Sequence, residues 1–225
     1  MASPPLSEIR WAKACRLIPS RYPSVGLFDR IAGPEDIDTL IELESWTNDR
    51  LSTELGILHV IPPDEWVVGR PMASVVMAAF CHPRAGGGRF SSPERGAWYA
   101  ARTLETSLAE TIHHRTRELA EVGHFETRVE MRLYHADFHD DFHDIRARRA
   151  EWAPLYDPDS YAASQQFGRG LLEQGSPGVV YRSVRDARGE CLACFRPARV
   201  LNVRVAGHYE YRWEGRPEPR VRKVA

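Results

Sequence analysis

The spacing of apolar residues predicts helices early and in the middle of the chain, and strands clustered towards its end. The first helix is predicted over residues 34–55, because Pro34 suits the first position of a helix and Gly56 suits its end. Apolar residues recur along this segment as on one helix face, at Ile37, Leu40, Ile41, Leu51 and Leu55.

Two further helices are predicted from their end signals. Thr103 is a suitable N-cap residue for a helix that runs to about Ala120. The apolar face of this helix repeats every four residues, at Leu104, Leu108 and Ile112. Pro158 suits the start of the next helix, and Gly175 suits its end.

Eight short segments have the composition or the alternation of β-strands. They are residues 57–61, 74–80, 97–101, 128–136, 178–184, 191–196, 200–205 and 209–213. Evenly spaced strand–helix–strand units are absent from the sequence, so the predicted class is α+β with a mixed sheet rather than a doubly wound sheet. We expect residues 1–85 to form a helical extension packed on a core domain of residues 86–225.

Composition and charge narrow the functional class. The chain has 30 Lys and Arg against 31 Asp and Glu, so it lacks the long-range positive field of many nucleic-acid-binding proteins. No run of about eighteen apolar residues is present, which argues against a membrane span. Charged residues interrupt the N-terminal segment, so the predicted compartment is the cytoplasm. The basic residues between Arg212 and Lys223 are interpreted as a solvated tail.

Two cysteine and histidine patterns resemble metal sites, and both are interpreted as structural. Cys191 and Cys194 lie in a predicted strand, where positions three apart face opposite ways and cannot grip one ion. The histidines at 135, 139 and 143 would line up on a helix, but strand-like alternation precedes them. On a strand the outer two lie more than about 25 Å apart. His113 and His114 are interpreted as a surface pair.

Four residues could carry a different chemistry, the cleavage of an N-glycosidic bond to a cationic leaving group. They are Arg89, Tyr99, Glu110 and Ser183. An arginine binds the pyrophosphate of NAD, and an aromatic ring stacks on its nicotinamide cation. A carboxylate stabilises the oxocarbenium-like ribose that remains after nicotinamide leaves. Composition alone does not select these residues.

Each of these residues also has a structural interpretation. Arg89 could be an ordinary surface cation and Tyr99 a core residue. Glu110 follows Ser107 at the spacing of a capping box, so it could merely cap a helix. Helix periodicity places Glu110 opposite the apolar face at Leu108, which fits a binding site and plain solvent equally well.

At these positions the sequence resembles the RES family, which is named for an arginine, a glutamate and a serine. The matching segments are Arg89-Phe90, AWYAA at 97–101, ETSLAE at 105–110, GVVYRSVR at 178–185 and FRP at 195–197. They occur in the family's order and spacing, and the resemblance covers at least residues 86–205. The segment RLIPSRYPSVGLFDRI, which starts at Arg16, is similar to the longer family members.

The resemblance implies a fold like that of diphtheria-type ADP-ribosyltransferases, with mixed and antiparallel sheets flanked by helices. It also implies a toxin of a two-gene module, neutralised by an Xre-like antitoxin, with NAD as substrate and no metal. Carried over by position, Arg89 would hold NAD, Tyr99 would stack on nicotinamide and Glu110 would be the catalytic carboxylate. Ser183 would orient the cofactor or the arginine, and His82 is a weaker candidate for a cofactor contact.

Two outcomes of NAD cleavage occur in the family. Some members transfer ADP-ribose to a protein, including the enzyme that makes phosphoribosyl pyrophosphate, and others pass it to water or phosphate. Long members include the transferases, so we hypothesise transfer to a protein acceptor, with NAD depletion as the alternative. A non-catalytic binding module and a metallohydrolase built on the histidines at 135–143 are the alternatives from other classes.

Overall fold

The structure, a computed structural model, describes residues 3–21, 27–30 and 58–224. The strands are β1 (Leu6–Pro19), β2 (Trp98–Ala101), β3 (Glu126–Asp144), β4 (Gly178–Arg182), β5 (Glu190–Cys194), β6 (Leu201–Glu214) and β7 (Arg220–Lys223). The helices are α1 (Leu27–Arg30), α2 (Ala73–Cys81), α3 (Leu104–Val122) and α4 (Ala162–Glu173). Short 3₁₀ turns lie at Leu58–Val60, Pro63–Glu65, Ala153–Tyr156 and Pro197–Arg199. The helix predicted over 34–55 lies outside the described residues.

Within the described residues, seven strands form one sheet in the order β1-β2-β5-β4-β3-β6-β7. Strand β1 also pairs with β3, so β1, β2, β5, β4 and β3 close on one another. Strands β3 and β4 run parallel, and the other pairs are antiparallel. This mixed sheet with helices against it confirms the predicted α+β class.

The central strands β2, β5 and β4 have buried side chains on both faces. Trp98, Val180 and Leu192 share one apolar core with α2, including Met77 and Phe80. The other face packs against α4 and the 3₁₀ turn before it and forms a second core. The strand residues in this core are Ala101, Val179, Tyr181, Cys191 and Ala193. Each central strand is therefore held from both sides, as a strand in the middle of a sheet should be.

Helix α3 forms as its end signals and apolar spacing predicted. The side-chain oxygen of Thr103 accepts a hydrogen bond from the Thr106 N–H, and Gly123 closes the helix with a φ of 67°. The predicted apolar face packs on β1, β3 and β6, against Met131 and Tyr211. The members of that face are Leu104, Leu108 and Ile112. This packing fixes the rotation of α3 about its axis and so decides where Glu110 points.

Three predicted elements are wrong in kind or position. Residues 74–80 belong to helix α2 rather than a strand, because a short continuous apolar run looks the same in a buried helix and a buried strand. Residues 58–60 form a 3₁₀ turn where a strand was predicted. Helix α4 begins at Ala162 rather than Pro158, because Asp157 first caps a turn by accepting the N–H groups of Asp159 and Ser160.

The sequence pattern missed strands β1 and β7. Along β1 the alternation is broken by a bulge, where Lys13 has a φ of 60°. Buried side chains therefore change phase between Trp11 and Ala14. The basic segment interpreted as a solvated tail contains β7, which is exposed but pairs with β6. The two strands predicted at 200–205 and 209–213 are one strand, β6, with a register shift near Gly207.

The described part of residues 1–85 shares its sheet and its core with the remainder of the chain. Strand β1 pairs with β3 from Leu6 to Pro19, and α2 lies in the core with β2, β4 and β5. The boundary at residue 85 stays a prediction. Among the described residues, no helix is long and apolar enough to cross a membrane.

Candidate functional site

Glu110 lies on the side of α3 that faces the β4–β5 hairpin. Its Oε1 accepts a 2.5 Å hydrogen bond from the Ser183 hydroxyl, and the Cys191 Sγ lies 4.0 Å from the same oxygen. The N-cap of α3 is Thr103, about two turns earlier, so the capping interpretation of Glu110 is wrong. The predicted polar face of the helix is therefore a contact surface in the fold.

Ser183 holds Glu110 through a hydroxyl group whose orientation is fixed. Its Oγ accepts the N–H of Arg185 at 3.0 Å and the N–H of Asp186 at 2.9 Å. With both lone pairs used, the hydroxyl proton goes to Glu110. Ser183 is 1% exposed, so water does not compete for these bonds. This contact positions the carboxylate, and among the described residues Ser183 makes no hydrogen bond to Arg89.

A second polar contact docks α3 on the same turn. The Thr106 hydroxyl donates to Asp186 Oδ2 at 2.7 Å, and this bond is the main cause that lowers the pKa of Asp186. Gly189 lies directly against Thr106, where a β-carbon would come within 2.5 Å of its methyl group. Because Thr106 and Glu110 are four residues apart, they lie on one side of the helix. Two hydrogen bonds thus fix the carboxylate relative to β4 and β5.

Arg89 is buried rather than on the surface, with 8% of its area exposed. Its Nη1 donates to the carbonyl oxygens of Leu155 at 3.0 Å and Asp157 at 2.7 Å. Its guanidinium carbon lies 4.6 Å from the centre of the Tyr161 ring. Arg89 therefore ties the glycine-rich loop to the segment 155–161, and part of its hydrogen-bonding capacity is already used.

Tyr99 is half-buried beneath the glycine-rich loop. Its hydroxyl accepts the Phe90 N–H at 2.8 Å and donates to Ser91 Oγ at 3.0 Å, while burial raises the pKa of Tyr99 to about 12. A β-carbon at Gly88 would lie 2.5 Å from the Tyr99 hydroxyl, so only glycine fits there. On the other side of the loop, Gln165 donates to the carbonyls of residues 86 and 88.

Tyr181 links the three predicted residues in space. It pairs with Cys191 as Tyr99 pairs with Ala193, so both tyrosines lie on one face of the sheet. Burial first raises the pKa of Tyr181 well above its usual value, and the negative charge of Glu110 adds to this while Arg89 opposes it. Arg89, Tyr99 and Glu110 are thus all within electrostatic range of one buried phenol. Tyr181 was not among the predicted site residues, although it lies two residues before Ser183.

Arg16 on β1 is a further cation of this region that the sequence analysis did not assign. Its Nη1 donates to the Tyr99 carbonyl at 3.1 Å, and its guanidinium carbon lies 4.7 Å from the Trp98 ring centre. Burial, and then the charge of Arg84, lower the pKa of Arg16 to about 10. Arg16 opens the RLIPS segment, which was the signal that could have identified it.

His113 and His114 are not the surface pair that was expected. Both are partly buried, with ring centres 5.5 Å apart. Burial and then the charges of Arg84, His113 and Arg185 lower the pKa of His114 to about 3. His82, in contrast, is exposed at the end of α2, and no hydrogen bond among the described residues joins it to Arg89, Tyr99, Glu110 or Ser183. A role for His82 stays a prediction.

The two metal-like patterns both lie on strands. His135, His139 and His143 lie along strand β3, and the described residues include no group of three side chains that could hold a metal ion. Cys191 and Cys194 are free thiols on opposite faces of β5, one in each core.

A cavity of about 420 Å³ lies elsewhere, near Asp140, His143 and Arg199, and none of the four predicted residues lines it. Several of its ionisable groups contact one another or neighbouring residues. Arg199 lies 3.1 Å from Asp140, and the His143 ring bonds the Ser176 hydroxyl at 2.8 Å. Ser176 also bonds the backbone of Gly178, as a serine that stabilises a turn does. We therefore place the candidate site around Glu110 and not in this cavity.

The family comparison agrees with the geometry. The model of the RES domain matches residues 64–214. The chain belongs to the RES-domain family. The match includes Arg89, Tyr99, Glu110 and Ser183 and leaves out the whole of β1, including Arg16.

This RES-domain protein is also similar to two individual proteins. The uncharacterized protein y4oC of Sinorhizobium fredii is 27% identical over 202 residues, which cover 89% of this chain and 82% of the relative. The toxin–antitoxin complex MbcT–MbcA of M. tuberculosis contains a chain with a TM-score of 0.46 and 14% identity, covering 89% of this chain and 85% of that one.

Proposed function

We propose that this RES-domain protein cleaves the bond between nicotinamide and ribose in NAD. The observation that carries the proposal is the Glu110 carboxylate, which the buried Ser183 hydroxyl holds at 2.5 Å. The same carboxylate lies 4.0 Å from the Cys191 Sγ, on the sheet face that also carries Tyr99 and Tyr181. NAD has a cationic nicotinamide at one end and an anionic pyrophosphate in the middle. Aromatic and carboxylate groups suit the nicotinamide end, and arginines suit the pyrophosphate.

The chemistry requires little from the protein beyond this arrangement. The C1′–N1 bond breaks, its electron pair goes to the pyridinium nitrogen, and nicotinamide leaves as a neutral molecule. No general acid is needed, because the leaving group is charged before the bond breaks. Positive charge develops on the ribose, and the fixed carboxylate of Glu110 stabilises it without having to reorganise. Ser183 bonds one carboxylate oxygen, so the other is left to face the substrate.

A second observation that supports the proposal is the group of arginines in this region. The chain as a whole has a net charge of −1, yet Arg16, Arg84, Arg89 and Arg185 are close enough to affect one another or the residues between them. A local excess of positive charge favours a doubly charged pyrophosphate. This supports a dinucleotide over a neutral nucleoside as substrate.

For the acceptor, we propose that ADP-ribose is transferred to a protein, and that the chain acts as the toxin of a toxin–antitoxin module with an Xre-like antitoxin. Membership of the RES family supports the toxin role. The length of the chain before Arg89 supports a protein acceptor, as in long family members. The alternative acceptor is water or phosphate, in which case the enzyme depletes NAD.

The test of cleavage is release of nicotinamide from NAD by the wild type, Glu110→Gln and Glu121→Gln. Glu121 is exposed near the end of the same helix, so it is a matched control. We expect Glu110→Gln to lose on the order of 10²–10³ in turnover, the usual effect of removing one electrostatic stabiliser. Equal turnover in all three proteins would show that Glu110 is not catalytic.

The acceptor needs a separate experiment. NAD labelled in the adenylate half is incubated with the protein and a bacterial lysate, and the label is followed on a gel and by chromatography. A labelled protein band that Glu110→Gln fails to produce supports transfer. Free ADP-ribose without any labelled band contradicts transfer and leaves the cleavage proposal standing.

A further inference from the structure

One side of α3 brings two imidazoles next to the guanidinium groups of the site. His113 and His114 follow Glu110 by three and four residues, so they extend the same side of the helix by one turn. Their rings are 5.5 Å apart in an edge-to-face arrangement. Among the described residues, the Nε2 of His113 is buried and has no hydrogen-bond partner. A buried polar atom of this kind is destabilising unless a ligand or water satisfies it.

Two arginines reach this helix face from different loops. Arg84 is exposed and begins the glycine-rich turn, where its carbonyl accepts the Gly87 N–H at 2.8 Å. Arg185 follows Ser183, and its Nη2 donates to the carbonyl oxygen of Pro158 at 2.6 Å. The Arg185 N–H also bonds the Ser183 Oγ that holds Glu110, so Arg185 lies beside the carboxylate. After burial, the charges of Arg84 and Arg185 both lower the pKa of His114, as expected of cations near this helix face.

We propose that Arg84, Arg185 and His113 form a binding subsite for a pyrophosphate group. The subsite rests on the proposed function for the identity of its natural ligand, NAD, but it can be tested with pyrophosphate alone. Its place in the site is one helical turn beyond Glu110, about 5.4 Å along α3. The two arginines supply positive charge, and His113 supplies a ring nitrogen as an additional hydrogen-bonding group.

The balance of charge around the subsite favours an anion. Burial is the first cause that lowers the pKa of His113, and the charges of Arg185, Arg117 and Arg89 lower it further, against Asp159 alone in the opposite sense. Neighbouring cations that repel one another in the free protein are stabilised when a phosphate group lies between them. A neutral imidazole nitrogen beside them can hydrogen-bond a phosphate or ribose oxygen.

The glycine-rich loop supports the same ligand. Gln165 and Tyr99 fix the backbone of this loop from both sides, and Arg84 extends from its first turn. Arg89, the predicted pyrophosphate ligand, has its Nη1 occupied by two carbonyl oxygens. Because these bonds take up part of the Arg89 guanidinium, we assign the pyrophosphate contacts of the subsite to Arg84 and Arg185, next to the Arg89 charge.

The experiment measures binding of inorganic pyrophosphate by calorimetry to the full-length wild type, Arg84→Gln, Arg185→Gln and His113→Gln. Arg216→Gln is the matched control, because Arg216 is an exposed arginine in the turn between β6 and β7. Glu110→Gln is included to separate binding from catalysis. We expect Arg84→Gln and Arg185→Gln each to weaken binding on the order of tenfold or more, the effect of losing a charge-assisted hydrogen bond. Binding by the wild type should also weaken as salt is added.

The outcomes separate this proposal from the proposed function. Affinity at or above that of the wild type in Glu110→Gln, together with weak binding in Arg84→Gln, supports the subsite even if NAD is never cleaved, because removal of the Glu110 charge can only favour an anion. Arg84→Gln is the decisive variant because its side chain is exposed and its removal leaves the fold intact, whereas Arg185→Gln also loses the bond to Pro158. No pyrophosphate binding by the wild type, or equal weakening in Arg84→Gln and Arg216→Gln, overturns the subsite while leaving NAD cleavage open.

Discussion

The two sides of helix α3 do different work. One side, with Leu104, Leu108 and Ile112, packs on a cluster of large apolar residues and makes non-directional contacts. The other side carries Thr106, Glu110 and the two histidines, whose contacts are directional and mostly polar. The apolar side determines that the helix forms and how it is rotated. The polar side then receives its partners at fixed distances, such as the 2.5 Å from Ser183 to Glu110.

Because the two kinds of contact lie on opposite sides of α3, the stability of the protein and its activity should respond to different substitutions in this helix. A change on the polar side should alter activity more than stability at neutral pH. A change at the helix end should alter stability without altering the reaction in the folded protein. Three experiments test this separation.

The largest effect is expected from Ser183→Ala. Without the hydroxyl, Glu110 loses its hydrogen-bond donor and becomes free to rotate, so turnover should fall by roughly ten- to a hundredfold with a smaller change in KM. Steady-state kinetics of nicotinamide release measure this. Ser160→Ala, at an exposed serine, is the control. Full turnover in Ser183→Ala would mean that the carboxylate is positioned by something other than this contact.

The next effect concerns acid stability and His114. Because burial and nearby cations lower the pKa of His114 to about 3, the unfolded state takes up a proton before the folded state does as the pH falls. Stability is therefore lost below the unfolded pKa of about 6.5, at up to about 1.4 kcal/mol per pH unit. Between pH 6.5 and 5, the free energy of unfolding should therefore fall by about 2 kcal/mol less in His114→Gln than in the wild type.

Urea unfolding at a series of pH values measures this difference directly. His59→Gln is the control, since His59 is exposed in the 3₁₀ turn at residues 58–60. Parallel stability curves for the wild type and His114→Gln across this pH range would contradict the assignment of His114 as a buried neutral imidazole.

The smallest effect is expected at the N-cap. Thr103→Ala removes the side-chain acceptor for the Thr106 N–H and should lower the free energy of unfolding by about 1 kcal/mol. Turnover per folded molecule should stay within twofold of the wild type, because Thr106 keeps its own bond to Asp186. Thermal unfolding together with kinetics at low temperature measures both quantities. A tenfold loss of turnover would show that the two sides of α3 are not separable.

The elements that the sequence predicted well are those with strong local signals. Thr103, Gly123 and the four-residue repeat of Leu104, Leu108 and Ile112 define α3 without help from the remainder of the fold. Strand β2 is bounded by short polar stretches and was also predicted within one residue. The opposite faces of Cys191 and Cys194 followed from strand geometry alone.

What the sequence could not give depends on long-range contacts. Strand β1 contains a bulge at Lys13 that breaks its alternation, and its partner β3 lies more than a hundred residues away. Helix α2 is apolar on all sides because it is enclosed by the fold, so its periodicity carries no signal. In the site, Glu110 and Ser183 belong to two separate sequence motifs, and it is the fold that brings them into contact. The roles of Arg16 and Tyr181 needed the sheet topology.

The bonds from Arg89 to Leu155 and Asp157 join two segments of the chain, and the bonded residues are 66 and 68 positions apart. Because a single guanidinium bonds both carbonyl groups, neither segment can move away from the core without breaking these bonds. Their backbone amides should therefore exchange hydrogen with solvent in step, and any opening of this side of the protein would be a concerted event rather than two independent fluctuations.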